Sequence, residues 1–185
     1  MGLNKSLDRA FDPLFQFLRM VARDKLVYHT AITAMQVGIG FVLGVLLGIV
    51  CGFALGLSPT AEFVLSPYIL ALQIAPKVAF APLFVMWLGY TVYPKILVAI
   101  LIVFFPVLIN VLSAMRTMDH DMINLARSFS ATRMQIFSMV EYPTTLPALF
   151  SGLRIASTLA VIGVVVGELV GGNMGLGYLL VFFEG

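Results

Sequence analysis

Five polar side chains stand inside long apolar runs: Gln73, Lys77, Asn110, Ser113 and Glu168. An amide or hydroxyl so placed serves as an interhelical hydrogen-bond partner or as a contact for a passing solute. Glu168 precedes Gly171-Gly172-Asn173. It reads either as a pathway or gating acid, or as a residue at the membrane interface. Lys77, between Pro76 and Val78, is suited either to neutralising an anionic solute or to snorkelling toward headgroups. A denser polar group lies in "NLARSFSATRMQIFSMVEYPTTLP", residues 124–147, which carries Arg127, Arg133 and Glu141. Covalent chemistry has no support. His29 and His120 lack metal-ligand spacing, no Ser/His/Asp grouping suggests a hydrolase, and no G-x-x-x-x-G-K-[ST] loop is present. Neither a metal nor a cofactor is expected, and the chemistry on offer is recognition.

Composition says where that recognition takes place. The 185 residues are 61% hydrophobic and 11% charged, with mean hydropathy +1.03. Soluble domains carry about 25% charged residues, so this chain cannot cover a water-facing surface and is read as an all-α integral membrane protein. Period-two alternation is absent, which argues against a β-barrel. The net charge of +2 is too small to suggest nucleic acid, and the lone Cys51 forms no disulfide or zinc framework within one chain.

The elements that must position these residues follow from the apolar runs. Residues 1–29 hold Lys5, Arg9, Arg19, Arg23 and Lys25, with Leu14, Phe15, Phe17, Leu18 and Val21 on one helical face, and read as an amphipathic interfacial segment. Uncharged sequence from Thr30 to Ala61 predicts a first span. A second apolar stretch, Phe63 to Gly89, is interrupted by "APKVAFAP"; a third runs from Ile96 to Met115; a fourth from about Pro147 to Gly167, with Arg154 near one end. Leu176 to Phe183 is too short to cross. Gly40, Gly44, Gly48, Gly52 and Gly56 form a slanted ridge on the first span, fit for close approach of another helix. Trp87, Tyr90 and Tyr93 read as an interfacial belt.

Between the third and fourth spans, Met122, Ile123, Ala126 and Phe129, then Ile136, Phe137 and Val140, recur at helical spacing. The pattern predicts two short helices bent at Ser130-Ala131-Thr132, with a basic edge from Arg127 and Arg133. Pro143 and Pro147 are expected to interrupt the helix before the last span. Such a loop is a rigid knob suited to a partner's groove, or a hairpin resting on lipid. Lys/Arg counting places the N-terminus in the cytoplasm and this knob outside.

This segment resembles the coupling loop of permease subunits of binding-protein-dependent ABC importers, in the nitrate/sulfonate/taurine-type branch. Asn124-Leu125-Ala126 stand at that loop's Glu-Ala-Ala positions and Ser130 at its glycine; Ala131, Arg133, Ile136, Phe137, Pro143 and Gly152-Leu153-Arg154-Ile155 match. So do "PKVAFAPLFVMWLGY", "FFPVLIN" and "GLGYLL". The resemblance implies a type I importer permease bundle over residues 30–185, with the coupling loop at 116–147, lacking the family's first and last spans. It also implies a multi-pass protein of the bacterial inner membrane. A second permease copy would share the solute pathway, a cytoplasmic ATPase would hydrolyse ATP, and an extracytoplasmic binding protein would deliver a solute such as a sulfonate, nitrate or vitamin precursor. The chain itself is then no enzyme. It places residues 116–141 in the cytoplasm, against the charge count. The alternative is a truncated, transport-incompetent subunit or assembly partner. At Asn124 the loop loses a carboxylate, and at Ser130 a positive φ would be strained.

Overall fold

The computed structural model describes residues 25–184, so the amphipathic reading of residues 1–29 lies outside it except for residues 25–29, which begin the first helix. Eight α-helices follow one another: α1 (Lys25–Gly56), α2 (Pro59–Ile74), α3 (Ala81–Leu88), α4 (Tyr93–Arg116), α5 (His120–Ser128), α6 (Arg133–Ile136), α7 (Tyr142–Gly171) and α8 (Leu176–Glu184). A 3₁₀ turn, Lys77–Phe80, precedes α3, and a π turn, Phe137–Glu141, joins α6 to α7. Among the described residues, three rods are long and apolar enough to cross a membrane: Leu26–Gly56, Tyr93–Arg116 and the continuous stretch Arg133–Gly171.

The glycine ridge of α1 lies against α4. A Cβ added at Gly40, Gly44, Gly48, Gly52 or Gly56 would come within 2.5–2.9 Å of Ala99, Val103, Val107, Val111 and Met115 respectively. Each partner lies 59 positions further along the chain, so α1 and α4 run parallel. Val103, Val107 and Val111 are fully buried there. On the other side of α4, Gly152 meets Asn110 and Pro106, Gly163 meets Ile102 and Ala99, and Gly167 meets Lys95, so α7 runs antiparallel. Small residues on both neighbours let three backbones approach closely.

Parallel neighbours constrain the chain between them. Residues 57–92 begin beside the end of α4 and finish at its start, so they must travel the length of the bundle. They do so as a broken span, with Pro59–Ile74 and Lys77–Leu88 bent by 80°. Pro76 sets the break. It forces Ala75 into an extended conformation (φ −56, ψ 137) and offers no N–H to continue the helix. Arg116 holds the start of α2, pairing with Glu62 and donating to Ser66 Oγ at 2.5 Å.

Between α4 and α7 the chain makes the expected bent knob. Asp119 caps α5, accepting from the Asp121 N–H at 2.9 Å. The helix ends with Ala131 N–H donating to the Ala126 carbonyl and Ser130 N–H to that of Arg127. This is a Schellman closure, and Ser130 occupies its left-handed position at φ 57. Thr132 and Gln135 then form a capping box that starts α6. The prolines do not interrupt the helix as anticipated. Pro143 lies in the first turn of α7 behind the π turn, where Tyr142 N–H reaches back to Phe137. The hydroxyls of Thr144 and Thr145 bond the Val140 and Glu141 carbonyls, and Pro147 is carried inside α7. A π turn widens the helix locally, which accommodates a ring that an α-turn would exclude.

Stability outcomes are expected at three positions. Gly48→Ala should lower the unfolding midpoint in detergent by the equivalent of about 1–3 kcal/mol, because the new methyl meets the Phe104 carbonyl and Val107 at 2.9 Å. Gly38→Ala, with nothing within 4 Å, should be neutral or stabilising. Ser130→Gly should stabilise by about 1 kcal/mol by relieving the left-handed strain, whereas Ser130→Val should destabilise.

Candidate functional site

Three of the five isolated polar residues meet. Gln73, Lys77 and Asn110 line a cleft of about 460 Å³ with Phe105, Pro106 and Leu159. Asn110 is shared with a second cavity of about 280 Å³ that holds Ser113, Thr117 and Thr144. The pair forms a discontinuous polar seam between α4 and α7, walled by the broken span. Lys77 Nζ donates to the Gln73 carbonyl at 2.6 Å and sits 4.8 Å from the centre of the Phe105 ring. Asn110 donates to the Pro106 carbonyl at 2.8 Å.

Lys77 lies beside the middle of the 24-residue helix α4, where Ile102, Phe105 and Pro106 share its cleft.

Glu168 is elsewhere. It lies level with Lys95 at the far end of α4 and is 1% exposed. Its carboxylate accepts from Thr33 Oγ1 and from the Gly177 N–H, both at 2.8 Å. Leu176 N–H donates to Thr33 Oγ1 at 2.9 Å and Gly175 N–H to His29 Nδ1 at 3.0 Å. The N–H groups of Gly175, Leu176 and Gly177 at the start of α8 thus find acceptors, and the carboxylate complements that helix's positive end. Gly175, at φ 110, is required because a Cβ would collide with the carboxylate. Lys95, near the start of α4, is itself 1% exposed and lies within the field of Glu168. Gln36, fully buried on the same level, has both amide atoms without a partner.

The knob presents a different face from the one its periodicity suggested. Ile123 and Ala126 are half-buried, while Met122, Leu125 and Phe129 project outward, with Phe129 80% exposed. Met134 and Met139 extend this apolar surface. Ile136 is buried, and Phe137 stacks edge-on against Phe53 at 5.3 Å, so both tie the knob to the bundle. Asn124, Arg127, Arg133 and Glu141 line a cavity of about 380 Å³ beneath α5. Glu141 is buried and meets Arg133 Nη1 at 3.4 Å. Asn124 stands where a carboxylate would add a second partner for these arginines.

One feature escaped the sequence reading. Arg154 is not near an end, since the helical rod begins at Arg133 and the preceding Gly152 packs on Pro106 and Asn110 of α4. Arg154 is exposed, and Thr144, Ser151 and Thr158 are exposed with it. Their spacing of three, four and seven residues places them on the helix side away from buried Gly152, Ala156 and Ala160. That spacing was available in the sequence; the continuous helix through Pro143 and Pro147 that gives it meaning was not.

Residues 44–182 match the family model described as "Binding-protein-dependent transport system inner membrane component". The chain is 39% identical over 153 residues to the "Probable ABC transporter permease protein" of Haemophilus influenzae, covering 83% of this chain and 62% of that one. It is 37% identical over 150 residues to the formylaminopyrimidine transport permease protein of Halalkalibacterium halodurans (81% and 60% covered). It is 34% identical over 152 residues to the taurine transport system permease protein of Escherichia coli (82% and 55% covered). The chain thus spans about three fifths of the length of these relatives. With most of the sequence inside the family model and three rods able to cross a bilayer, the chain belongs to the multi-pass inner-membrane components of binding-protein-dependent transport systems.

Proposed function

We propose that this chain, paired with a second copy, lines the translocation pathway of an importer for a small solute and couples it to a cytoplasmic ATPase, with an extracytoplasmic binding protein delivering the solute. The observation that carries this reading is the polar seam at mid-depth. Lys77 and Asn110 line an open cleft beside α4, and Arg154 is exposed on α7, in a bilayer-length bundle where contact of such groups with lipid is costly. A second copy covering that side would enclose them in a watery path. The exposed helix α2, without a buried residue, supplies surface for the same contact.

In this reading the knob at residues 116–147 is the coupling loop. Met122, Leu125 and Phe129 are its docking contacts, while Ile136 and Phe137 transmit the displacement into the bundle. The ATPase side is then the end bearing Arg116, Arg127 and Arg133. Burial of Lys95 removes one charge from the opposing count and eases the conflict with the positive-inside tendency.

Affinity capture of the tagged chain from membranes expressing its cognate ATPase tests the docking role. Wild type should retain the ATPase. Leu125→Asp and Phe129→Asp should each reduce retention by on the order of tenfold or more, with insertion and unfolding midpoint unchanged. Phe137→Ala should instead lower the midpoint. A wild-type chain that retains no ATPase sinks this reading in favour of an assembly partner.

A further inference from the structure

We propose that the buried junction of Gln36, Lys95 and Glu168, where α1, α4, α7 and α8 meet, is a binding site for ordered water, and that this water links Lys95 to Glu168. The junction lies at the start of α4, away from the knob. It is separate from the cavities that hold Lys77, Asn110 and Ser113.

The register that sets Gly40 against Ala99 sets Gln36 against Lys95, four residues earlier on both helices. Thr33, three residues before Gln36 on α1, donates to the Glu168 carboxylate. Gly167 packs on the Lys95 stem, so the three polar groups converge. Gln36 is 0% exposed, and Lys95 and Glu168 are 1% exposed each. Neither amide atom of Gln36 has a hydrogen-bond partner. Reversing the amide does not help, since both of its ends are empty. Lys95 lies within the field of Glu168, yet the two form no ion pair. Among the described residues, the ion pairs are Arg116 with Glu62 and Arg133 with Glu141.

Buried polar groups without partners are destabilising, and native interiors satisfy nearly all of them. The occupant must both donate and accept. Gln36 Oε1 needs a donor, while Gln36 Nε2 and Lys95 Nζ need acceptors. It must be small, because α4 is packed closely through Gly40 on one side and Gly163 and Gly167 on the other. It must also be neutral, since Lys95 repels a cation and Glu168 an anion. Water meets all three requirements. It accepts from the amide and the ammonium, and donates to Oε1 and to the carboxylate. Glu168 already accepts from Thr33 and Gly177, but its two oxygens have lone pairs to spare. The bridge gives Lys95 a counterpart without direct contact, and ties α1 and α4 to the corner between α7 and α8.

Two measurements on the full chain in lipid nanodiscs test the site. Gln16→Ala, Gln73→Ala and Gln135→Glu leave Gln36 as the sole side chain carrying isotopically labelled glutamine. Its amide protons should show a rotating-frame Overhauser cross-peak to water. Cross-peaks to protein protons with none to water overturn the water site. Equilibrium unfolding then compares Gln36→Met, Lys95→Met and the double variant with wild type. Each single substitution should raise the unfolding equilibrium constant. The double variant should fall short of the product of the two by on the order of fivefold, because both remove the same bridge. A Gln36→Met chain more stable than wild type shows that the amide was dry and unpartnered, and overturns the proposal. Effects that simply multiply overturn the link between Gln36 and Lys95. If a methionine variant does not fold, the cross-peak in the chain that keeps Gln36 and Lys95 still decides.

Discussion

The parallel contact between α1 and α4 is the constraint on which the rest depends. Five glycines, spaced by four, let α1 lie against α4 with a constant offset over their shared length. Two adjacent parallel rods cannot be joined by a short turn. The chain between them must return across the bundle, and here it returns broken at Pro76. A straight apolar helix would have closed the side of α4. The 80° bend leaves a cleft at mid-depth and puts Lys77 in it. Close packing on one side of α4 therefore dictates an opening on the other.

Two lysines on or beside α4 are treated differently. Lys95, near the start of α4, is surrounded by protein, within the field of Glu168 and on the level of Gln36. Glu168 in turn satisfies the N-terminus of α8 through Gly177. That arrangement is a lock, since the Glu168 carboxylate is held by Thr33 of α1 and Gly177 of α8. Lys77 has a ring and a carbonyl, which soften its isolation without cancelling its charge. A counter-ion supplied from within stabilises one conformation.

Much of this was legible in the residues, for identifiable reasons. Apolar length marked the spans because lipid leaves few alternatives. The glycine ridge was visible as spacing, and the bend at Ser130 as a serine where the loop's pattern has glycine. What depends on register was not legible. Nothing in the sequence of α1 says that its partner is parallel, so the crossing of residues 57–92 and the depth of Lys77 could not be computed. Pro143 misled because the rule against helical proline assumes α-turns, and the residues one turn before it form the π turn Phe137–Glu141; Pro147 is carried inside α7 with no such turn behind it. Glu168 drew attention as an acid in an apolar run, yet its neighbours Gly175 and Gly177 were the clue to its structural role.

The π turn also has a mechanical consequence. It lets one continuous rod run from Arg133 in the knob to Gly171 beside the Glu168 lock, 39 residues in all. At 1.5 Å per residue such a rod is about 58 Å long. A break at Pro143 would have isolated the knob from the bundle, as a hinge. Instead Ile136 and Phe137 are clamped against the bundle at one end, and Glu168 is held by α1 and α8 at the other. Arg154 lies between these two anchors. A tilt imposed on the knob must move the arginine or distort the packing of Gly152, Ala156 and Gly163 against α4, where no spare volume exists. Rigid-body motion of α4 and α7 together is the less costly response, and it carries the polar seam with it.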